Sequence, residues 1–434
     1  MSANKQDGNS QKIIRVLVVD DTALMRRIIG DIVQEQQGME LVGTAFDGEN
    51  ALRKIELFKP DVVTMDLEMP RLDGISTLKR IMSENPLPVI FISSHTRQGS
   101  EQTMEALANG AVDFVPKPEK GLRGKDVDHF KELLPQKIMI ASAAKLGRLA
   151  GGKEKGTEPS PKGVHQVDQP PSARQRGIQL PGGQDEKRRQ AQQKKLTQQP
   201  SDTTLPPRLQ DIVQAPSGDE KGQSGRERYN NIGQGVGNRE AEVVVAIGAS
   251  TGGPKSLEEV LHHLPADLPA AVLICQHMPA GFTKSLAKRL DKISPLQVKE
   301  AWEGAPLLEG TVLLAPGDYH LKVKGQEITL DSGPKVNHVR PAVDVMLKSL
   351  VSQPFSVIGV ILTGMGKDGA EGVKKLKARG GRDVFLVEDP DTAVVRGMPE
   401  AVIASGCCDK ILSHPELSQQ VISLAQLLKE SKQK

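Results

Sequence analysis

Aromatic residues are scarce in this chain, 3% of the total with a single Trp, so its cores must be built from aliphatic side chains. Cysteine is scarcer still. Cys275, Cys407 and Cys408 are too few for a disulfide framework, and none stands in a metal-ligating spacing, which points to a reducing cytoplasm. No apolar run approaches the roughly 18 residues a membrane span needs, and residues 1–11 are polar, without the apolar segment of a signal peptide. Charge of one sign is lacking too: 57 basic against 54 acidic residues leave +3, which provides no field for gripping nucleic acid or an anionic membrane. These absences argue against a secreted disulfide scaffold, a protein inserted in the membrane and a charge-driven nucleic-acid binder.

What is present is length and rhythm. With 434 residues, 37% hydrophobic content and a mean hydropathy of −0.35, the chain is expected to form two domains with some unfolded length between them. Over residues 13–130, short apolar runs alternate with helix-period segments, and strands are expected at 14–19, 40–45, 62–65, 89–92 and 112–115. That order is a (βα)5, flavodoxin-like domain with its site at the carboxyl ends of parallel strands. Residues 150–240 are rich in Gln, Gly, Pro and charge, with Tyr229 the only aromatic, and read as a flexible linker. The basic run at 187–195 reads most simply as solvated tether, with a nucleic-acid patch as the sharper alternative. From 241 to 430 a second α/β domain is expected, doubly wound and parallel, with strands at 243–247, 271–275, 312–314, 357–362 and 384–387 and a helix over 255–263.

The first domain carries an acidic cluster. Asp20 and Asp21 end the first strand and Asp66 the third, so three carboxylates converge on one sheet edge. Such a group calls for a hard divalent cation, and Mg²⁺ accepts few carboxylates, some waters and a phosphate oxygen. A carboxylate placed there is a nucleophile toward a phosphoryl donor. Ser93 after the fourth strand and Lys117 after the fifth offer a hydroxyl and an ammonium to the phosphoryl oxygens, and the bond before Pro118 is a candidate for the cis form. Taken singly, an Asp after a strand is a helix cap and Lys117 a loop lysine. Together Asp20, Asp21, Asp66, Ser93, Phe114 and Lys117 resemble the receiver domain of two-component response regulators. The resemblance implies that Asp66 takes a phosphoryl group from a histidine kinase of the CheA type. It further implies that Asp20, Asp21, Asp66 and the Glu68 backbone carbonyl hold Mg²⁺, and that Ser93 and Phe114 form the switch.

In the second domain the strand at 243–247 runs into Gly248-Ala249-Ser250-Thr251-Gly252-Gly253-Pro254. This is a G-x-S-x-G turn between strand and helix, the pattern that lifts a serine hydroxyl above a sheet. An anion-binding loop at a helix start fits the motif equally well. His277, after the next strand, stands at the same edge as a candidate base, although a lone histidine there is more often a loop residue. Asp368, in Thr363-Gly364-Met365-Gly366-Lys367-Asp368-Gly369, is placed to orient the imidazole or to cap a helix, roles that are compatible.

The chain order Ser250, His277, Asp368 differs from the Ser, Asp, His order of α/β-hydrolases. The three motifs in this order resemble the catalytic domain of the CheB family of chemotaxis protein-glutamate methylesterases, over about residues 241–430. That resemblance implies hydrolysis of glutamate methyl esters on methyl-accepting chemotaxis receptors and deamidation of receptor glutamines, with no cofactor for the ester chemistry. It also implies that Thr251 and the Met365 backbone N–H flank the developing oxyanion. The receiver would cover the hydrolase cleft until Asp66 is phosphorylated, and the long linker implies loose docking.

The competing class is a receiver-coupled regulator that acts by binding, against which stands the lack of a basic helix-turn-helix after residue 241. His262 and His263 read as a solvated helix face, His320 and His338 with Arg340 and Pro341 as a possible cleft border, Arg396 with Met398-Pro399 as a shaping loop, and Cys407-Cys408 as packing.

Overall fold

The structure is a computed structural model that describes residues 12–94, 96–118, 125–144 and 239–432. The expected linker, with the basic run at 187–195 and Tyr229, lies outside the described residues except at its last two positions.

Five parallel strands, β1 (Ile14–Val19), β2 (Met39–Ala45), β3 (Val62–Asp66), β4 (Val89–Ser93) and β5 (Asp113–Pro116), form the first sheet in the order β2-β1-β3-β4-β5. The central strands β3 and β4 are buried throughout and mostly apolar because helices cover both faces. These helices are α1 (Ala23–Gln34), α2 (Gly48–Phe58), α3 (Gly74–Glu84), α4 (Arg97–Ala108) and α5 (Lys125–Ser142). Local chemistry marks their starts: Asp47, Asp73 and Thr96 accept the N–H of Asn50, Ser76 and Gly99 as N-caps. β5 begins at Asp113, one residue later than expected, and α5 continues to Ser142, burying Phe130, Leu134 and Ile138 against the sheet. Among the described residues the one cis peptide is Arg340-Pro341, so the bond before Pro118 is trans.

The second sheet is built from β6 (Val243–Ala249), β7 (Ala271–Gln276), β8 (Gln297–Glu300), β9 (Thr311–Leu314), β12 (Ser356–Ile361), β13 (Val384–Glu388) and β14 (Lys410–Leu412). All seven are parallel, in the order β14-β13-β12-β6-β7-β9-β8. An antiparallel hairpin, β10 (His320–Lys324) and β11 (Glu327–Asp331), stands apart. The helices are α6 (Gly253–His262), α7 (Phe282–Ile293), α8 (Val343–Ser349), α9 (Ala370–Ala378), α10 (Gly397–Ala404) and α11 (His414–Lys432). β6 is buried along its whole length at the centre, as a strand apolar on both faces must be. The hairpin and the edge strands β8 and β14 are additions to the expected set: they are short and partly polar, so no apolar run announces them.

Each sheet has one point where successive connections leave in opposite directions, beside β1 in the first and β6 in the second. Open α/β sheets bind their ligands in the crevice at such points. The two sheets belong to one compact unit in which α4 packs against α6 and α7, so the long tether does not prevent direct docking.

Candidate active site and receiver pocket

Ser250 follows directly on β6, and the turn after it depends on glycine. Gly252 has φ +80°, and a Cβ there would stand 2.7 Å from Val394 Cβ, so a side chain is excluded by both backbone and space. Gly364 lets the loop after β12 approach Ser250, since a Cβ on it would lie 2.7 Å from Ser250 Cβ. Backbone bonds complete the cradle: Ser250 N–H donates to Thr363 O (3.0 Å), and Ser250 O accepts from Gly253 N–H (2.8 Å) and Gln276 Nε2 (2.8 Å). Ala249↔Gln276 is the last pair of β6 and β7, and Ser250 and His277 each follow directly on it, with the His277 N–H donating to Ala249 O (3.1 Å).

His277 Nε2 lies 2.8 Å from Asp368 Oδ2. Asp368 is buried, and its two oxygens also accept the Val343 N–H (2.6 Å), the Asp344 N–H (3.1 Å) and Asn337 Nδ2 (2.8 Å). Burial alone would raise the Asp368 pKa, but His277, the Asp344 N–H and Asn337 outweigh it and hold it below the ordinary value. Asp344 returns the arrangement, its Oδ1 accepting from Gly369 N–H and Gly372 N–H while Asn337 reaches its Oδ2. With Nε2 engaged by the carboxylate, Nδ1 is the imidazole nitrogen left for the serine. Among the described residues no hydrogen bond yet joins Ser250 Oγ to His277, so the final link of the relay is open. Catalytic hydrogen bonds are often long before substrate binds. Thr251 follows Ser250 directly, and Met365 follows Gly364, the residue at which the loop after β12 comes up to Ser250.

The first domain reaches this site. Thr251 Oγ1, next to the nucleophile, donates to Asp113 Oδ2 at the start of β5 and accepts from Lys137 Nζ of α5 at 3.2 Å. Asp113 and Lys137 are themselves paired, with side chains 10% and 17% exposed. The Phe114 ring packs on Phe282 of α7 with centroids 4.4 Å apart. Ser100 of α4 is bonded to Ser285 at 2.8 Å, and Lys288 stands 3.7 Å from Glu101.

In the first domain Asp20, Asp21 and Asp66 offer ligand oxygens within 4.8 Å of one another. Lys117 Nζ is 2.6 Å from Asp66 Oδ2 and 3.4 Å from Asp20 Oδ2. Asp20 Oδ2 is buried and has no hydrogen bond, and an orphaned carboxylate oxygen in an all-oxygen set fits a hard cation. Burial raises the Asp66 pKa to about 6, against the pull of Lys117 and with a further push from Asp20. A cavity of about 200 Å³ adjoins, lined by Asp21, Asp66, Glu68, Ser94 and Lys117 among others. Ser93 does not face it. Its hydroxyl turns into α4, 2.6 Å from Thr103 Oγ1 and 3.2 Å from Gly99 O.

The structure thus brings together His277 with Asp368, Ser250 with Thr251, and Asp20, Asp21, Asp66 with Lys117, while Ser93 and Phe114 sit at the α4 and α7 contacts. His320 is bonded to Pro334 O, and Arg340 to the Ser332 and Gly333 carbonyls; of that loop it is Asn337 that reaches Asp368. Asn337, Asp344, Asp113 and Lys137 were not expected. Only Asp113, a charge inside an apolar strand, leaves a signal in the sequence.

The Asp66 shift has a testable sign. Raised from 3.8 to about 6, this carboxyl favours folding most below its unfolded pKa, and that contribution is lost as pH rises through 6. In EDTA, Asp66→Asn is expected to raise Tm by several degrees at pH 7.5 and to leave it nearly unchanged at pH 4. A shift of equal size at both pH values would remove the buried charge as its cause.

Comparison with known proteins agrees with this division. Residues 16–124 match the response regulator receiver domain family and residues 245–421 the CheB methylesterase family. A protein-glutamate methylesterase/protein-glutamine glutaminase of Symbiobacterium thermophilum is 40% identical over 93% of this chain and 94% of its own length. One from Thermotoga maritima is 38% identical over 96% and 99%. The crystal structure of the Thermotoga maritima CheB methylesterase catalytic domain matches at 46% identity with a TM-score of 0.41, covering 42% of this chain and 99% of that one. With both halves matched in order over nearly the whole length, the chain belongs to the receiver-bearing family of protein-glutamate methylesterases/protein-glutamine glutaminases.

Proposed function

We infer that this protein is a phosphorylation-activated hydrolase that removes methyl esters from glutamates of methyl-accepting chemotaxis receptors and deamidates receptor glutamines. The observation that carries the reading is the convergence at β6: an elbow serine in register with a histidine that is bonded to a buried carboxylate. The domains proposed are a receiver over 13–130, a linker over 150–240 and an esterase domain over 241–430. A cytoplasmic location suits the free thiols, and among the described residues no helix is long and apolar enough to cross a membrane.

In the reaction, Ser250 Oγ attacks the side-chain carbonyl carbon while His277 Nδ1 accepts its proton, and Asp368 holds the ring by Nε2 and offsets the imidazolium charge. The oxyanion develops beside the Thr251 and Met365 N–H groups. Collapse expels methanol, or ammonia from a glutamine, with the proton returned by His277, and water resolves the acyl-serine by the same route in reverse. Both substrates are carbonyls with a poor leaving group, so one site serves both.

In the receiver, Asp66 is the phosphoryl acceptor from a CheA-type histidine kinase. Asp20, Asp21, Asp66 and the Glu68 carbonyl would hold Mg²⁺, which would supply charge neutralisation for the incoming phosphoryl group. Lys117 leaves its pairing with Asp66 for a phosphoryl oxygen, and Ser93 turns from Thr103 toward the same group. That withdrawal loosens α4 and β5, which carry Ser100, Phe114 and Asp113 onto the esterase domain. A ring pair contributes about 0.5–1.5 kcal/mol beyond its buried area, and a hydrogen bond to a charged group about 1.5–3. New bonds to a phosphoryl group are of the same size, so one modification is enough to shift the balance between closed and open forms.

Ser250→Ala is expected to abolish methanol release from methylated receptor membranes while acetyl phosphate still labels Asp66; retained esterase activity would sink the nucleophile assignment. Asp113→Ala removes the carboxylate that holds Thr251 and strips Lys137 of its counter-charge at the interface. Its activity without phosphodonor should rise several-fold and its stimulation by phosphodonor should shrink. An unchanged basal rate would show that the Asp113 contact does not restrain the site.

A further inference from the structure

One buried charged group takes no part in the reaction above. His414 opens α11 with its side chain 13% exposed, between two carboxylates. Nδ1 bonds Glu259 Oε2 of α6, and Nε2 lies 2.9 Å from Glu388 Oε1 at the end of β13. The second contact is off the hydrogen-bond line, so charge rather than alignment holds it. Glu388 is fully buried, and its other oxygen accepts the Thr363 N–H at 2.6 Å. Thr363 in turn holds the nucleophile turn at two points: its carbonyl accepts the Ser250 N–H at 3.0 Å, and its hydroxyl donates to Thr251 O at 2.9 Å.

We propose that His414 is a positioning residue for Ser250, clamping Glu388 so that Glu388 fixes Thr363 and Thr363 fixes the backbone of the nucleophile turn. The proposal rests on the reading of Ser250 as nucleophile. A second route leads from the same histidine to the same turn, because α6 starts at Gly253, three residues after Ser250, and carries Glu259. Ser418 Oγ on Val260 O, at 3.0 Å, fastens α11 to α6 alongside it.

The physical demand comes from Glu388. A carboxylate with no solvent contact costs several kcal/mol unless a cation faces it, and among the described residues His414 is the cationic group paired with it. Burial alone would depress the His414 pKa, yet Glu259 and Glu388 outweigh it and raise it to about 9. From α6 the cluster also faces Lys255 and His263, both acting on Glu259, while Glu416 on α11 is turned to Ser413. His414 is therefore charged through the neutral range and loses its proton near pH 9.

The test compares wild type, His414→Gln and the double variant His414→Gln/Glu388→Gln on methylated receptor membranes, with Tm measured for each. The single variant strands a buried carboxylate and is expected to lose stability. In the double variant no charge is buried and Tm recovers, but the hold on Thr363 weakens. We expect kcat of the double variant to fall about tenfold with KM unchanged, since small misplacements of a nucleophile act on the chemical step. Wild-type kcat should also decline above about pH 9, and the double variant should lack that decline. A stable double variant with wild-type kcat, or one that keeps the alkaline decline, would overturn the proposal. Ser250→Ala run alongside separates the failures: inactive Ser250→Ala with unaffected His414 variants refutes the positioning role alone, whereas active Ser250→Ala refutes the nucleophile and with it this inference.

Discussion

A carboxylate survives in a protein interior only if donors surround it, and the esterase half of this molecule is organised around one that does. Asp368 accepts two backbone N–H groups at the start of α8, the Asn337 amide and His277. Asp344, on α8, accepts two N–H groups at the start of α9. Each helix start is thus satisfied by a carboxylate from the other's segment, which cross-links them and answers the orphan donors of both. The consequence for chemistry is direct. An ionised, fully satisfied Asp368 fixes the histidine tautomer, and the tautomer decides which nitrogen is left for Ser250.

The receiver's hold on that site runs through an edge strand. β5 has a strand neighbour on one side only, β4, and two of its side chains, Asp113 and Phe114, reach the esterase domain. Asp113 and Phe114 are consecutive and tied to each other, since Asp113 Oδ1 accepts the Phe114 N–H at 2.8 Å. One residue occupies Thr251 and the next packs on Phe282. Neither contact alone is strong, but any displacement of β5 removes both.

Residues that act through the backbone next to them were legible in the sequence. Apolar strands ending in Asp20-Asp21 and Asp66, a serine framed by Gly248 and Gly252, and His277 after the next strand all show as local patterns, because a strand followed by a turn forces its next residue to the sheet edge. The helix caps Asp47 and Asp73 are legible for the same reason. Asn337 is not, since its value lies in a left-handed turn at φ +52° that carries its amide to Asp368 across the fold. His414 gives no hint either, for it reads as a helix start until β13 and α6 bring Glu388 and Glu259 to it. The short strands β8 and β14 escaped notice because edge strands need no apolar run. Ser93 was legible at the end of its strand, but the direction of its hydroxyl, toward Thr103 and Gly99 O of α4, depends on packing that the sequence does not show.

The geometry of β5 explains why switch and restraint share one short strand. Asp113, at its beginning, engages the esterase site, and Lys117, one residue past its end, engages Asp66. The four steps between them span about 13 Å of extended chain. Ser93 lies beside the far end: its partner in the ladder is Pro116, and its carbonyl accepts the Lys117 N–H at 2.7 Å. In the activation proposed above, a phosphoryl group that draws Lys117 and Ser93 toward Asp66 acts on one end of a strand paired with β4 along its length, while the other end carries the two side-chain contacts to the esterase domain. Because Pro116, Asp113 and Phe114 belong to the same ladder, the proposed shift at Ser93 and Lys117 and the contacts to Thr251 and Phe282 are coupled through one short strand.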